Sequence, residues 1–204
     1  MSGATEVSLE TLYDERLRLM DGVLSTWSWA TLRGIEVMLN YEAHPGEVER
    51  RRQVGLGAIT SADALRFLLG LPVGTPVPLA ALDQNERHLL RMLPTGTVCV
   101  ENGFVTRLAV PPVDAGLVVV PTRSWRLGLE RAGRFAPFCA RAMMLPKPPP
   151  NLDVLRMEAD FYGIGVITYV DAAPVTVVPP EPFRRHRFTA AGWLFLEEAH
   201  RQLL

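Results

Sequence analysis

From Leu9 to Tyr41, apolar side chains recur every three or four positions, which is the spacing that places them on one face of an α-helix. Gly22 and the stretch Ser25–Ser28 interrupt this pattern, so we predict two helices rather than one. The polar stretch His44–Gln53 that follows has no apolar face, and we interpret it as a connector. Residues 1–58 are therefore predicted to form an N-terminal helical segment.

Residues 59–112 carry the signals of two capped helices and a β-hairpin. Ser61 precedes an apolar helical stretch as a cap, and Asp83–Glu86 has capping-box spacing at the start of a second helix. Pro94 ends that helix. Two short apolar runs then flank Asn102-Gly103, which fits a type I′ turn because both central residues need a positive φ. The zone is predicted to run helix, turn, helix, hairpin.

Residues 113–204 alternate between strand and helix patterns. Leu117–Val120 and Ala140–Leu145 are continuous apolar runs, as expected for strands that are buried on both faces, and Gly163–Val170 is a third strand. The order β-α-β-α-β with short connections predicts a parallel sheet with helices packed on it. The fold class is therefore a mixture of α+β and α/β, ending in a C-terminal helix. The helices predicted in this zone are Ser124–Phe135, Leu152–Tyr162 and Thr189–Leu203.

Composition removes several classes of function. The formal net charge of -1 excludes a polycation, and Cys99 and Cys139 are too far apart for a disulfide framework or a paired metal-ligand motif. Phosphate-cradling glycine motifs, an HExxH pair and a GxSxG nucleophile are all missing. The acidic N-terminus is unlike a signal peptide, and no apolar run reaches ~18 residues. We expect a cytoplasmic protein with no cofactor, no metal and no membrane span.

The order of elements in residues 59–112 resembles that of winged-helix domains. In that family the second helix lies in the DNA major groove, and the hairpin wing contacts the backbone or the minor groove. The resemblance implies that Asp83–Leu93 reads DNA and that Thr97–Leu108 is the wing. The side chains that would contact nucleic acid are Gln84, Asn85, Arg87, His88 and Arg91 on the helix and Arg107 on the wing.

Negative charge near the same helix keeps a second interpretation open. Asp83, Glu86 and Glu101 would oppose phosphate binding. Winged helices also mediate protein contacts, so a protein partner for this zone is the alternative to DNA.

The third zone resembles the restriction-endonuclease-like, PD-(D/E)XK, core. The resemblance rests on a strand that leads into the Arg-rich helix Ser124–Phe135, a short strand ending in Leu145-Pro146, and a helix that feeds Tyr162–Ile167. The chemistry of that family needs an Asp at one strand end and (D/E)-x-K on the next, because two carboxylates hold Mg²⁺ while the lysine activates water.

The catalytic residues of that core are not in their expected places. Asp114 stands where the first carboxylate belongs, but Leu117–Pro121 offers neither a carboxylate nor a lysine. Lys147, the only lysine among the 21 basic residues, lies beyond the next strand. We therefore expect an inactive, nuclease-like core with no catalytic residues. The alternative is a metal-dependent nuclease with a rearranged site of Asp114, Glu158 and Lys147.

These patterns predict a non-enzymatic DNA-binding protein, either a bacterial regulator of transcription or a DNA-processing accessory factor. Arg123, immediately before the Arg-rich helix, and Arg126 on that helix would add phosphate contacts to those of the winged helix. A homodimer is expected, because a single module with near-zero net charge would bind DNA weakly. The N-terminal helices and the last helix are the elements that we expect to dimerise.

Overall fold

The computed structural model of the protein describes residues 26–171 and 173–203. In this part of the chain, nine strands form two sheets. The larger sheet has six strands in the order β1-β2-β6-β7-β8-β9, and the smaller has three in the order β3-β5-β4. The strands are β1 (Thr26–Leu32), β2 (Ile35–Ala43), β3 (Pro76–Pro78), β4 (Val98–Glu101), β5 (Phe104–Arg107), β6 (Val113–Pro121), β7 (Ala140–Leu145), β8 (Gly165–Val170) and β9 (Ala173–Val178).

Six α-helices accompany the two sheets in the described residues, which makes the fold a mixed α/β architecture. A short 3-10 turn, Leu79–Ala81, precedes the third helix. No helix in the described ranges combines the length and the apolar character that crossing a membrane requires. The helices are α1 (Pro45–Val54), α2 (Ala62–Gly70), α3 (Gln84–Met92), α4 (Trp125–Gly133), α5 (Leu152–Phe161) and α6 (Ala190–Leu203).

The described residues divide into two compact units, each assembled from separate stretches of chain. The sheet unit comprises residues 26–29, 34–41, 116–171 and 173–183, and the helical unit comprises residues 30–33, 42–115 and 184–203. Helix α6 therefore belongs to the helical unit, together with α2, α3 and the small sheet. The sequence pattern predicts a different grouping, in which this helix belongs with residues 113–204.

The sheet unit contains the predicted parallel core. Strands β6, β7 and β8 pair in parallel, with Val118 opposite Arg141 and Ala142 opposite Gly165. The β-α-β-α-β prediction is confirmed for these elements. Strand β9 lies in a stretch whose pattern predicts no strand, and it pairs antiparallel with β8 at the end of the sheet. Pro174 is tolerated there because an edge strand leaves one row of its amides unpaired.

The prediction of helices as far as Tyr41 is wrong for the described part. Residues 26–43 form β1 and β2, joined by Arg33 and Gly34, which have φ values of 53° and 72°. A two-residue turn with both φ positive closes a hairpin, and short apolar runs fit helix and strand spacing equally well. The remainder of the predicted helices, Leu9 to residue 25, lies outside the described residues.

The predicted connector after His44 is also wrong, because it contains α1. The helix begins with Pro45 in its first turn and ends at Gly55, which has a φ of 67°. Its side chains form ion pairs three or four residues apart instead of an apolar face: Glu47 with Arg50 and Arg51, and Glu49 with Arg52. Such pairs support a helix that hydrophobic periodicity cannot reveal.

A buried ionic cluster stabilises the core of the helical unit. Arg51 is 1% exposed and Glu197 is fully buried. The two Glu197 oxygens accept four hydrogen bonds: two from the Arg51 guanidinium at 2.7 and 2.8 Å, one from Trp193 Nε1 at 2.8 Å and one from the Ile59 amide at 2.9 Å. On its other side Arg51 donates to Glu47 at 2.6 Å. This cluster joins α1 to α6.

The cluster shifts the pKa of Glu47 and that of Arg51 in the direction that favours the charged form. Burial alone would raise the pKa of Glu47, but hydrogen bonds from Arg50 and Arg51 outweigh it, and the pKa is lowered from 4.5. Burial likewise opposes the charge of Arg51, yet its bonds to Glu197 and Glu47 raise its pKa. Both groups therefore stay ionised at neutral pH inside the core.

Acid destabilises the protein through His200 on α6, and replacing this residue with glutamine reduces the effect. Burial lowers the pKa of His200 from 6.5, with a further lowering by Arg51 that Glu197 and Glu47 partly oppose. Its Nδ1 is buried and has no hydrogen-bond partner in the described part of the chain. The unfolded chain then takes up a proton first as pH falls below 6.5, so stability is full above 6.5 and decreases below it.

Thermal melting at pH 7.5 and pH 5.5 checks this expectation. The wild-type Tm falls on acidification, and the fall is smaller in His200→Gln. An equal decrease in Tm in the wild type and in His200→Gln would contradict the assignment of the acid sensitivity to His200. The contribution of Glu47, whose lowered pKa acts only below about pH 4.5, lies outside this range.

Candidate nucleic-acid interface

The helix predicted over Asp83–Leu93 is present as α3, and its start is fixed by a capping box. Asp83 Oδ1 accepts a hydrogen bond from the Glu86 amide at 2.8 Å, and Glu86 Oε2 accepts one from the Asp83 amide at 2.9 Å. Leu89 and Leu90 pack against a core of Phe67, Leu71, Leu82 and Val105. The helix is thus held by one face only, and its opposite face is in solvent.

Five of the predicted contact residues lie together on this solvent face. The two arginines, Arg87 and Arg91, form no ion pair with any described residue: Arg87 Nη2 lies 3.4 Å from the Ala80 carbonyl oxygen, and Arg91 Nε lies 3.2 Å from the Arg87 carbonyl oxygen. Because no described carboxylate neutralises either guanidinium, both retain hydrogen-bond donors for an anionic partner. The exposed residues are Gln84, Asn85, Arg87, His88 and Arg91.

The acidic residues of this region divide into two groups. Asp83 and Glu86 each have a carboxylate oxygen engaged with backbone amides by the capping box. Glu101, in contrast, is exposed in the hairpin between β4 and β5. The hairpin turn is of the predicted kind, since Asn102 and Gly103 have φ values of 51° and 80°. The hairpin is present, but the only charged side chain in its exposed part is negative.

Arg107 is a correction to the predicted contact set, because its side chain is buried. Its Nε donates to the Ala109 carbonyl oxygen at 2.9 Å, and its Nη1 donates to those of Leu68 and Leu71 at 3.0 and 3.3 Å. Its guanidinium also lies over the ring of Trp193, 4.6 Å from the centroid. The sequence predicts Arg107 on the hairpin, as the structure has it. Side chains along β5 alternate between the two faces of the strand, and this alternation turns Arg107 inward.

Burial lowers the pKa of Arg107, and the nearby charge of Glu47 opposes that effect. The Leu68 and Leu71 carbonyls that it binds belong to the last turn of α2 and to the residue that follows the helix, where a cation is favourable. Arg107 therefore connects β5, α2 and α6 within the helical unit, and it offers nothing to a phosphate.

The last two predicted contacts, Arg123 and Arg126, belong to the sheet unit. Both are exposed, and Arg126 stacks on Trp125 with its guanidinium 4.4 Å from the ring centroid. Stacking holds a guanidinium in place without using its N–H donors. These two residues are available for an anion, as are those of α3, but they are not part of the same compact unit.

Asp114, the candidate metal-binding carboxylate, has partners of another kind. His44 Nε2 lies 3.0 Å from its Oδ2, and Arg185 Nη1 lies 3.6 Å from its Oδ1. Glu158 and Lys147, its partners in the rearranged-site alternative, belong to the sheet unit, whereas Asp114 belongs to the helical unit. In the described ranges, no three His, Cys, Asp or Glu side chains are grouped in a way that would hold a metal ion.

Comparison of the chain with protein-family models, with curated proteins and with solved structures finds no match in any of the three. The function is therefore argued from the exposed side chains and their partners.

Proposed function

We propose that the protein binds duplex DNA through the exposed face of α3 and acts without catalysis, as a regulator or a DNA-processing accessory factor. The observation that carries this proposal is the pair Arg87 and Arg91, which are exposed, four residues apart and without a carboxylate partner among residues 26–171 and 173–203. Residues four apart lie on the same helix face, so both guanidinium groups address the same ligand surface.

Three other exposed arginines on or next to helices have carboxylate partners: Arg52 pairs with Glu49, Arg66 with Asp63 and Arg134 with Glu130. Arg126 and Arg201 have no ion pair among the described residues, but α3 carries two such arginines four residues apart. The amides of Gln84 and Asn85 at the start of the same helix are of the type that pairs with adenine edges in the major groove.

The proposal includes no catalysis because the positions that resemble a nuclease site, Asp114 and strand β6, lack the groups that metal-assisted hydrolysis needs. Asp114 is engaged by His44 and Arg185, and β6 supplies no lysine. Metal-assisted hydrolysis needs carboxylates that are free to hold the ion. The sheet unit would then serve as a scaffold.

Fluorescence anisotropy with a labelled duplex of random sequence tests the proposal. We expect wild-type binding at ~50 mM salt and at least a tenfold loss in Arg87→Glu/Arg91→Glu, since charge reversal replaces two attractive phosphate contacts with repulsion. Arg201→Glu is the matched control, because Arg201 is an exposed helical arginine of the same unit with no ion pair among the described residues. Equal loss in the control variant would overturn the assignment to α3.

A protein partner is the second candidate, and the hairpin favours it. Val100, Phe104 and Leu108 are exposed apolar side chains in or beside the wing, where no exposed cation accompanies them. Such a surface suits burial against protein rather than phosphate. Absence of any duplex binding by the wild type at ~50 mM salt would contradict the DNA proposal and favour this candidate.

A further inference from the structure

A cleft of about 430 Å³ opens in the sheet unit between helices α4 and α5. Its lining comes from positions between 126 and 164, so the cleft belongs to this unit alone. On α4 the lining positions are 126, 129, 130 and 133, which share one face of the helix because they are three or four residues apart. The volume is within the ~300–1,000 Å³ of sites for small molecules. We call it the α4–α5 cleft.

Two guanidinium groups line the α4–α5 cleft without a carboxylate partner among the described residues. Arg126 stacks on Trp125, which holds the guanidinium in place without using its N–H donors. Arg141, the second residue of β7, is half-buried, and its Nη2 donates to the Tyr162 carbonyl oxygen at 2.5 Å. Its Nη1 and its buried Nε have no hydrogen-bond partner in the described part of the chain. Both arginines therefore retain donors for an anionic group in the cleft.

The cleft also has two carboxylates, which differ in their partners. Glu130 on α4 is paired with Arg134, 2.7 Å from Nη2. Glu158 on α5 lines the cleft and has no ion-pair partner in the described ranges, and it forms no ion pair with Arg141 across the cleft. Unpaired charges of both signs thus surround one space. A ligand that carries both charges satisfies all of them, whereas a dianion such as phosphate is repelled by the carboxylates.

The remaining lining is apolar. Leu129 and Ile164 line the cleft with buried side chains, and Tyr162 stands beside them with its side chain partly in solvent. The Tyr162 ring contacts Phe161 edge to face, with 5.0 Å between the ring centroids. An apolar lining with a few charged groups is typical of sites that bind small organic molecules and orient them by their polar ends.

We propose that the α4–α5 cleft binds a free α-amino acid with an apolar side chain. The carboxylate of the amino acid accepts hydrogen bonds from Arg126 and Arg141, and its ammonium group donates to Glu158. Both interactions are charge-assisted, and the side chain of the amino acid packs on the apolar part of the lining. The site lies outside α3, and it gives the sheet unit a role besides that of a scaffold.

Ligand-observed NMR titration of the full chain without nucleic acid tests the proposal. The probes are L-leucine and three molecules with a phenyl group: L-phenylalanine, 3-phenylpropionate, which lacks the ammonium group, and 2-phenylethylamine, which lacks the carboxylate. We expect L-phenylalanine to bind with a Kd of about 1 mM or below, and the two truncated probes to bind at least about tenfold more weakly. Equal affinity for the three phenyl probes, or no binding of either amino acid at ~10 mM, would overturn the proposal.

Two charge variants test the orientation of the amino acid. Glu158→Gln should weaken L-phenylalanine about tenfold and leave 3-phenylpropionate unchanged, because only the ammonium group contacts Glu158. Arg141→Gln should weaken both probes, because both carry the carboxylate. An equal loss of both probes in Glu158→Gln, or unchanged binding of both in Arg141→Gln, would contradict the assignment.

A space-filling variant tests the location without changing a charge. Gly133 is the last residue of α4 and lines the cleft, and a Cβ at this position would have no atom within 4 Å beyond its own helix. Gly133→Leu should therefore retain the wild-type melting temperature and lose L-phenylalanine binding. Gly70→Leu is the matched control, since Gly70 is the last residue of α2 with equally open surroundings, and it should bind as the wild type does.

Unchanged binding in Gly133→Leu, or an equal loss in Gly70→Leu, would place the ligand outside the cleft and contradict the proposal. Either result leaves the DNA proposal unaffected, because no DNA is present in these titrations.

Discussion

Replacing Glu197 with alanine lowers the free energy of unfolding by about 3–5 kcal/mol, the loss that follows when one partner of a buried ion pair is removed. Glu197 is fully buried and accepts bonds from Arg51, Trp193 and the Ile59 amide. Without it, the buried Arg51 guanidinium keeps Glu47 and the Val110 carbonyl oxygen as its partners among the described residues. Urea denaturation at pH 7 measures the change.

Glu49→Ala is the matched control for this measurement. It removes a carboxylate with comparable hydrogen-bond lengths to Arg52, 2.9 Å from both Nε and Nη2, but this pair is exposed. Exposed ion pairs contribute roughly 0–1 kcal/mol. A loss of less than about 1 kcal/mol in Glu197→Ala as well would mean that the cluster does not hold the core of the helical unit.

Arg107→Ala has the second-largest expected effect, a loss of about 2–4 kcal/mol of unfolding free energy. The substitution leaves the carbonyl oxygens of Leu68, Leu71 and Ala109 without this donor and removes the cation from the face of Trp193. Chemical denaturation measures the loss, and Arg91→Ala, an exposed arginine of the same unit, should change stability by no more than about 0.5 kcal/mol.

Arg107→Ala also distinguishes a structural role of Arg107 from a role in DNA contact. If Arg107 contacted phosphate from the wing, Arg107→Ala would retain full stability and bind duplex DNA less tightly. The burial of Arg107 predicts the opposite result for Arg107→Ala. The urea midpoint should be lower than that of the wild type, and the fraction of the variant that is folded should bind DNA with unchanged affinity.

Local signals in the sequence were sufficient for much of the fold. The capping spacing of Asp83 and Glu86, the Asn102-Gly103 turn and the apolar run Leu117–Val120 each depend on interactions within a few residues or on burial that composition reveals. The solvent-facing side of α3 is predictable for the same reason, because the apolar residues of the helix identify the side that packs inward.

Long-range pairing was not predictable. The spacing of Leu32, Ile35, Val37 and Met38 predicts a helix but fits a strand equally well, and only pairing within the sheet decides in favour of β1 and β2. Helix α1 has no apolar face, so its ion pairs were invisible to periodicity. The burial of Arg107 depends on Trp193, a residue far away in sequence, which no local pattern could indicate.

The salt dependence of duplex DNA binding tests the central claim most directly. Each phosphate contact contributes about 0.9 to the slope of log K against log salt concentration. We therefore predict that Arg87→Ala/Arg91→Ala flattens the wild-type slope by about 2, whereas Arg201→Ala leaves it unchanged. An identical slope in the wild type and in the α3 double variant would contradict the assignment of α3 as the DNA-binding surface.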